Sequence, residues 1–301
     1  MRCHICGNTN KSNFEKSFLP KTLYCSVCGI HFTRDIKSPE YKENYYRNSD
    51  SESVVSKLSK PALNLLEEIK INRILTLVKF IEKPRILDYG CGAGNLVKRL
   101  ILLNIDTLGF EPSRGARKIT TKENLPVQGD LKMIKGKFDL IMFWLSLEHV
   151  PDPVDVINNA KKLLIKGGRL LIAVPNAESW EAMIAKEKWF HYTYPLHRFY
   201  FSFPSLSYLL KKCSLKIESV DCLNFEYTST GLAQTLLNLI LPKDVLYSIV
   251  GKRRRSMKKG KAILFASLSI IILIMFSPLV VIFFIIQLFF RKTGAMVVIA
   301  K

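Results

Sequence analysis

The run Ile86-Leu87-Asp88-Tyr89-Gly90-Cys91-Gly92-Ala93-Gly94 decides the fold. Arg85 to Tyr89 has the apolar character of a buried strand, and the Gly-x-Gly-x-Gly that follows turns the chain into a helix opening at Asn95. Glycines permit positive φ and let a ligand lie directly on the backbone. Dinucleotide-binding chains use such a turn too, but their fingerprint puts a third glycine where Asn95 stands. Asp88, directly before the glycines, suits a ligand that carries positive charge, such as an ammonium or a sulfonium. The bland alternative is a tight turn that only packs a strand against a helix.

Working outward, a second strand ends Leu108-Gly109-Phe110-Glu111-Pro112-Ser113. An acid at that tip, about twenty residues past the loop, is placed to accept both hydroxyls of a ribose. A third short strand ends Val127-Gln128-Gly129-Asp130, which puts Asp130 where it can receive an adenine amino group. Further strands are expected over Phe138–Trp144, 168–174 and 216–223, and a helix over 61–81 carries Leu65, Leu66, Ile69, Leu75 and Val78 at helical spacings. Alternating helix and strand patterns from about 61 to 224 are the mark of a parallel α/β sheet.

These segments resemble the class I S-adenosylmethionine-dependent methyltransferases, in particular a zinc-ribbon-bearing branch related to sugar and quinone-precursor methyltransferases. The resemblance rests on Leu87 to Gly94, on Gly109-Phe110-Glu111-Pro112, and on Phe138-Asp139-Leu140 leading to Leu147-Glu148-His149-Val150-Pro151-Asp152-Pro153. It continues through Leu164-Ile165-Lys166-Gly167-Gly168, Val174-Pro175-Asn176 and Pro195 to Ser202. It implies a Rossmann-like seven-stranded α/β sheet with an antiparallel last strand, and S-adenosylmethionine bound by Asp88, Gly90, Cys91, Gly92, Gly94, Glu111 and Asp130.

Methyl transfer is an in-line displacement at a sulfonium carbon, and a hydroxyl acceptor must also lose a proton. The candidate bases are His149, His191 and His197, with Glu148 as an orienter and His197 the first choice. His149 follows the fourth strand, where ligands of open α/β sheets gather; its alternative is a cap on the loop before Pro151. His197 lies among Trp189, Phe190, Tyr192, Tyr194, Phe199 and Tyr200, which reads either as an acceptor-side lid or as core packing. Tyr45 and Tyr46 precede the first helix, as lid residues or as solvent-facing linker.

Cys3-x-x-Cys6 and Cys25-x-x-Cys28, eighteen residues apart and each followed by glycine, match the spacing of a four-thiolate Zn²⁺ site. Four thiolates leave no open position, so this metal is expected to be structural. The remaining cysteines are scattered, which points to a reducing, cytosolic compartment rather than a disulfide framework. No apolar core follows Met1-Arg2-Cys3-His4, so no secretory signal is expected.

The net charge of +20 calls for a polyanionic partner. Much of it sits in Lys252, Arg253, Arg254, Arg255, Lys258, Lys259 and Lys261, directly before an uncharged apolar run from Ala262 to Phe290. That run exceeds the ~20 residues that span a bilayer. Two features argue against a simple crossing. Residues 294–300 read as the last strand of the sheet, and Arg291 and Lys292 make both flanks positive. Ser277-Pro278 divides the run, so the expectation is a hairpin bent at Pro278 that enters one leaflet and returns, a monotopic anchor on the cytoplasmic face.

The expected organisation is a zinc ribbon (1–35), a linker or lid (36–60), a methyltransferase domain (61–250), a basic run with membrane-inserting hairpin (251–293) and the final strand (294–301). The expected partners are anionic membrane lipids and a small-molecule or lipid-linked saccharide acceptor, through a hydroxyl of a glycan or polyprenyl-linked ring. Nucleic acid is disfavoured, because the residues after the fourth strand, Leu145 to His149, lack the Asn/Asp-Pro-Pro-aromatic motif of base-amino methylation. The rival readings are an RNA methyltransferase gripping through ribbon and basic run, and a catalytically silent binding module.

Overall fold

Arg85–Tyr89 and Phe138–Trp144 are buried almost along their whole length, as parallel strands covered on both faces must be. A computed structural model describes residues 1–34, 54–222, 225–250 and 259–301. In chain order these form β1 (Phe14–Lys16), β2 (Thr22–Cys25), β3 (Ile30–Thr33), α1 (Val54–Val78), β4 (Arg85–Tyr89), α2 (Asn95–Leu102), β5 (Asp106–Phe110), α3 (Arg114–Lys122) and β6 (Val127–Gln128). There follow β7 (Phe138–Trp144), α4 (Pro153–Leu163), β8 (Leu164–Pro175), α5 (Trp180–Ala185), β9 (Phe199–Tyr200), α6 (Phe203–Lys212), β10 (Ile217–Asp221), α7 (Phe225–Ile240), α8 (Val245–Val250), α9 (Lys259–Phe289) and β11 (Ala295–Ala300).

The main sheet runs β10-β11-β8-β7-β4-β5-β6. Strands β4 to β8 are parallel, whereas β11 is antiparallel to both neighbours, with Ala295 opposite Pro175 and Ala300 opposite Leu170. Alternate residues feed two cores. Ile86, Met142, Leu171 and Val297 pack under α1 and α2, and Leu87, Phe143, Ile172 and Val298 pack under α4, α6 and the N-terminal sheet.

The segment expected as a separate ribbon is docked on this domain. Strand β9 adds a fourth strand to β1-β2-β3, pairing Phe199 with Phe32 and Tyr200 with His31. Lys212 Nζ also donates to the Ile5 carbonyl at 2.6 Å, and Cys3, Ile5, Ile30 and Phe32 belong to the same apolar cluster as Phe201 and Leu210. Pro61, expected to open the first helix, lies inside α1, which begins at Val54.

The expected hairpin is corrected. Residues 259–289 form one helix that passes through Pro278. A proline there cannot donate to the Ile274 carbonyl, the cost that usually breaks a helix. The Ser277 hydroxyl donates to that carbonyl instead, at 2.8 Å, so the freed acceptor is satisfied and the helix continues. One stripe of α9, including Ala266, Ser269, Ile272 and Gln287, is buried, and Trp180 stacks near Phe283 and Phe290 at 6.2 and 5.3 Å between ring centroids. Tyr45 and Tyr46, most of the expected linker, and Lys252, Arg253, Arg254, Arg255 and Lys258 lie outside the described residues.

Gly90 tests the tightness of the first turn. Its φ is +84°, and a Cβ there would lie 2.5 Å from the Ser146 Cβ. Gly167 has a similar φ of +88° but open space around it. Gly167→Ala is expected to cost only the conformational strain, about 1–2 kcal/mol, whereas Gly90→Ala adds overpacking and should cost about 2–4 kcal/mol. Urea unfolding of the two variants checks this, and equal losses would contradict it.

Candidate functional site

The register of β4 against β5, Tyr89 beside Phe110, brings the carboxyl ends of both strands together. The Phe110 carbonyl accepts from the N–H groups of Gly90 and Cys91 at 2.7 and 3.1 Å, which folds the loop back over β5. The next residue, Glu111, accepts from Gly92 N–H at 2.9 Å on one carboxylate oxygen and from Ser113 N–H at 2.8 Å on the other. Gly94 is left-handed and opens α2. The result is a Cβ-poor ledge with a carboxylate fixed at its edge and lone pairs left for a diol.

Two residues that the motifs did not reveal support this ledge. Ser146, after β7, donates its hydroxyl to the Tyr89 carbonyl at 2.5 Å. Arg117 on α3 donates to the Glu111 carbonyl at 2.7 Å, and its charge works against the burial that raises the Glu111 pKa. Asp88 is also buried at the end of β4, and burial pushes its carboxyl up to about 7. The ammonium of Lys70 on α1 opposes that rise, and the neighbouring Glu111 charge adds to it. Lys70 has no sequence signal beyond its place on a helix. Asp130 is exposed, and its carboxylate accepts from Lys132 N–H at 2.9 Å to cap the following turn. No described hydrogen bond ties it to the ledge.

Across the carboxyl edge, the turn Leu147–His149 meets the segment before β9. Arg198 N–H donates to the Glu148 carbonyl at 2.9 Å, and His149 Nδ1 donates to the Leu196 carbonyl at 3.0 Å. That bond puts the proton on Nδ1 and leaves Nε2 as the acceptor nitrogen. The rings of His149 and His197 stand 4.7 Å apart, edge to face, and Glu148, His149 and His197 each offer an atom within 4.8 Å of the others. Glu148 is fully buried with Oε2 unpartnered, and burial pushes its carboxyl up to about 8. The N-terminal sheet holds this group from outside, since the Thr33 hydroxyl donates to the His197 carbonyl at 3.0 Å.

Three expected residues therefore come together here: Glu148, His149 and His197. His191 does not join them. It packs against Trp189 and Phe190, with its Nε2 against Gly231 of α7. Most of the aromatic segment is core rather than lid, for Trp189, Tyr192, Phe199 and Tyr200 are all buried, and only Tyr194 of the tyrosines there is exposed.

The expected metal ligands also meet. Cys3 Sγ lies 3.6 Å from Cys28 Sγ, Cys6 Sγ lies 3.6 Å from Cys25 Sγ, and all four sulfurs fall within 4.8 Å of one another. A tetrahedral ion with ~2.3 Å metal–sulfur bonds separates its sulfurs by about 3.8 Å. None of the four is in a disulfide, and the positive φ of Gly7 and Gly29 (+83° and +73°) makes the two knuckles.

The methyltransferase-domain family matches residues 64–220 of this chain. An uncharacterized methyltransferase of Anoxybacillus flavithermus is 35% identical over 115 residues, 34% of this chain and 54% of that protein. The ubiquinone biosynthesis O-methyltransferase of Haemophilus ducreyi is 28% identical over 130 residues, 38% of this chain and 55% of that protein. The chain thus spans about half the length of these relatives. Among solved structures, a SAM-dependent methyltransferase from Archaeoglobus fulgidus aligns over 78% of this chain and 94% of its own, with 17% identity and a TM-score of 0.46.

Asp88 and Glu148 link the site to pH. Their folded-state carboxyls hold protons up to about 7 and about 8, whereas unfolded carboxyls titrate near 4. The folded state binds more protons in between, so these two groups lower stability as pH rises from about 4 to about 8, with no further change above. Asp88→Asn with Glu148→Gln should flatten that slope, leaving the variant more stable than its parent at pH 8 by at least about 1 kcal/mol. Urea unfolding at pH 5 and pH 8 measures this, and an unchanged slope would contradict it.

Proposed function

Because the chain belongs to the methyltransferase-domain family, we propose that it moves a methyl group from S-adenosylmethionine to a hydroxyl of a small or lipid-linked acceptor at the cytoplasmic face of a membrane. The observation that carries this reading is the Glu111 carboxylate, fixed by Gly92 N–H beside the buried Asp88. When bound, S-adenosylmethionine supplies an electrophilic methyl on a positively charged sulfur. Glu111 holds the ribose diol, and Asp88 answers the positive charge of the donor's amino-acid end across the glycines Gly90, Gly92 and Gly94. Cys91 packs at the same ledge, and Asp130 stands at the adenine end.

On the acceptor side, His197 would take the proton of the acceptor hydroxyl, whose oxygen would receive the methyl that the bound donor supplies. Glu148 and His149 flank that imidazole and fix its orientation. General-base help of this kind is worth about 10²–10⁴ in rate. The name of the Haemophilus ducreyi relative, an O-methyltransferase, supports oxygen as the acceptor atom. We assign the four-cysteine cluster to a structural Zn²⁺. Its task is to keep β3 in place, and through Thr33 to keep His197 in place.

The membrane reading rests on α9. Only 11% of its most apolar window is buried, and Ile263, Ile274, Ile285 and Phe289 are 68%, 68%, 58% and 82% exposed. Moving four such side chains into hydrocarbon is worth about 6–12 kcal/mol. At ~1.5 Å per residue a 31-residue helix is about 46 Å long, enough to cross a bilayer. It lies along the domain instead, with one stripe on the protein and with β11 returning to the sheet directly after it. We therefore favour insertion in the plane of one leaflet, with Lys261 near anionic headgroups at about 1 kcal/mol.

Labelled methyl donor incubated with cell membranes, glycans and RNA tests the activity. Label is expected in membrane lipid or lipid-linked glycan, and label in RNA alone would overturn the reading. His197→Ala should lower kcat by about 10²–10⁴ with the donor KM unchanged; full turnover at every pH would remove His197 from the role. Stripping Zn²⁺ with a chelator, or Cys25→Ser, should lower kcat while donor binding survives. Loss of donor binding at unchanged fold would contradict the proposed task of the metal.

A further inference from the structure

Helices α5, α7 and α9 enclose a cavity of about 230 Å³ on the side of the domain where α9 lies. Its walls are hydrocarbon: Ile184 from α5, Leu236 and Leu239 from α7, and Phe276, Val280 and Phe283 from α9. Glu181 of α5 also borders it, but its carboxyl is buried (the residue is 2% exposed) and is turned toward the Thr235 hydroxyl and the Gly294 backbone. Burial pushes that carboxyl up to about 8, against smaller opposing effects of the Thr235 hydroxyl and the Gly294 backbone. The chain makes room for the carboxyl, because a Cβ on Gly294 would overlap it.

An apolar cavity of about 150 Å³ already holds a benzene. The cavity here is larger, has apolar walls apart from Glu181 and Thr235, and is smaller than the ~300–1,000 Å³ of pockets that enclose whole ligands. A sugar would leave most of its hydroxyls unpaired in it. A segment of hydrocarbon chain has the size and the polarity to fit it. The cavity is also continuous with the surface that meets lipid, since Leu279 and Leu239 at its rim are 62% and 42% exposed.

We propose that this cavity binds a hydrocarbon chain, acyl or prenyl, that enters from the lipid phase along α9. The proposal rests on the membrane reading above for the direction of entry, but the cavity is testable without it. Vesicles of phosphatidylcholine and phosphatidylglycerol carry either a phospholipid with a photoreactive diazirine in its acyl chain or a diazirine-bearing farnesol. After illumination, peptide mass spectrometry locates the adducts. They are expected on Leu236, Leu239, Phe276 and Val280, and the probe that labels more strongly identifies the source of the chain. Leu236→Trp should cut these adducts at least five-fold while adducts on the outer face at Ile274 and Ile285 persist; Val280→Phe serves if the first variant fails to fold. Adducts confined to the outer face, or cavity adducts indifferent to both substitutions, overturn the proposal. A soluble nine-carbon diazirine alcohol, used without vesicles, separates the two readings. Cavity labelling by it in a protein that does not float with vesicles would end the membrane reading and support the cavity. Flotation with no cavity labelling by any probe would do the reverse.

Discussion

The parallel register of β4 and β5 is the constraint on which the site depends. With Tyr89 beside Phe110, one carbonyl collects the N–H groups of Gly90 and Cys91, and the next residue, Glu111, reaches Gly92. A slip of one residue would turn Glu111 to the opposite face of the sheet and leave the loop without its closing bonds. Asp88 depends on the same register, because it enters the site from the last buried turn of β4. The burial that raises its pKa makes it sensitive to any cation placed beside it.

A second constraint governs the C-terminal third. Strand β11 has to lie between β8 and β10, antiparallel to both, and it follows α9 after only a few residues. The end of α9 is therefore held against α5, with Trp180 near Phe290, and the helix runs along the protein rather than away from it. The sheet thus fixes the attitude of the apolar helix. The same arrangement creates the apolar cavity under α9. In a comparable way, β9 ties the four-cysteine sheet to the segment that carries His197, so the cysteine cluster and the candidate base share one framework.

Local signals carried much of this into the sequence. Arg85–Tyr89 and Phe138–Trp144 were legible to the residue, because a buried parallel strand is a continuous apolar run and its ends are marked by glycine or polar residues. The cysteine pairs were legible because metal spacing is local. What stayed hidden depends on long-range contact. Lys70, Arg117 and Ser146 act through residues on other elements, and no spacing announces them. His149 and His197 could be named singly, but their meeting depends on the Arg198–Glu148 backbone bond, and nothing local in the sequence shows that His191, also a candidate, packs against α7 instead. The docking of the ribbon was invisible because β9 is two residues long. Pro278 does not break the apolar run into a hairpin, because the hydroxyl of the preceding Ser277 replaces the donor that proline lacks.

The central claim is that the Glu111–Asp88 ledge binds a cationic methyl donor. Calorimetric titration with S-adenosylmethionine near pH 7, in buffers of differing ionisation enthalpy, tests it most directly. Burial raises the Asp88 carboxyl to about 7, so a cation placed beside it should favour the carboxylate and release protons on binding. The account predicts one site, that proton release, and an affinity reduced at least about ten-fold in Glu111→Ala, since a diol bonded to a carboxylate is worth more than about 1.4 kcal/mol. Absence of binding, or equal affinity in parent and Glu111→Ala, would contradict it.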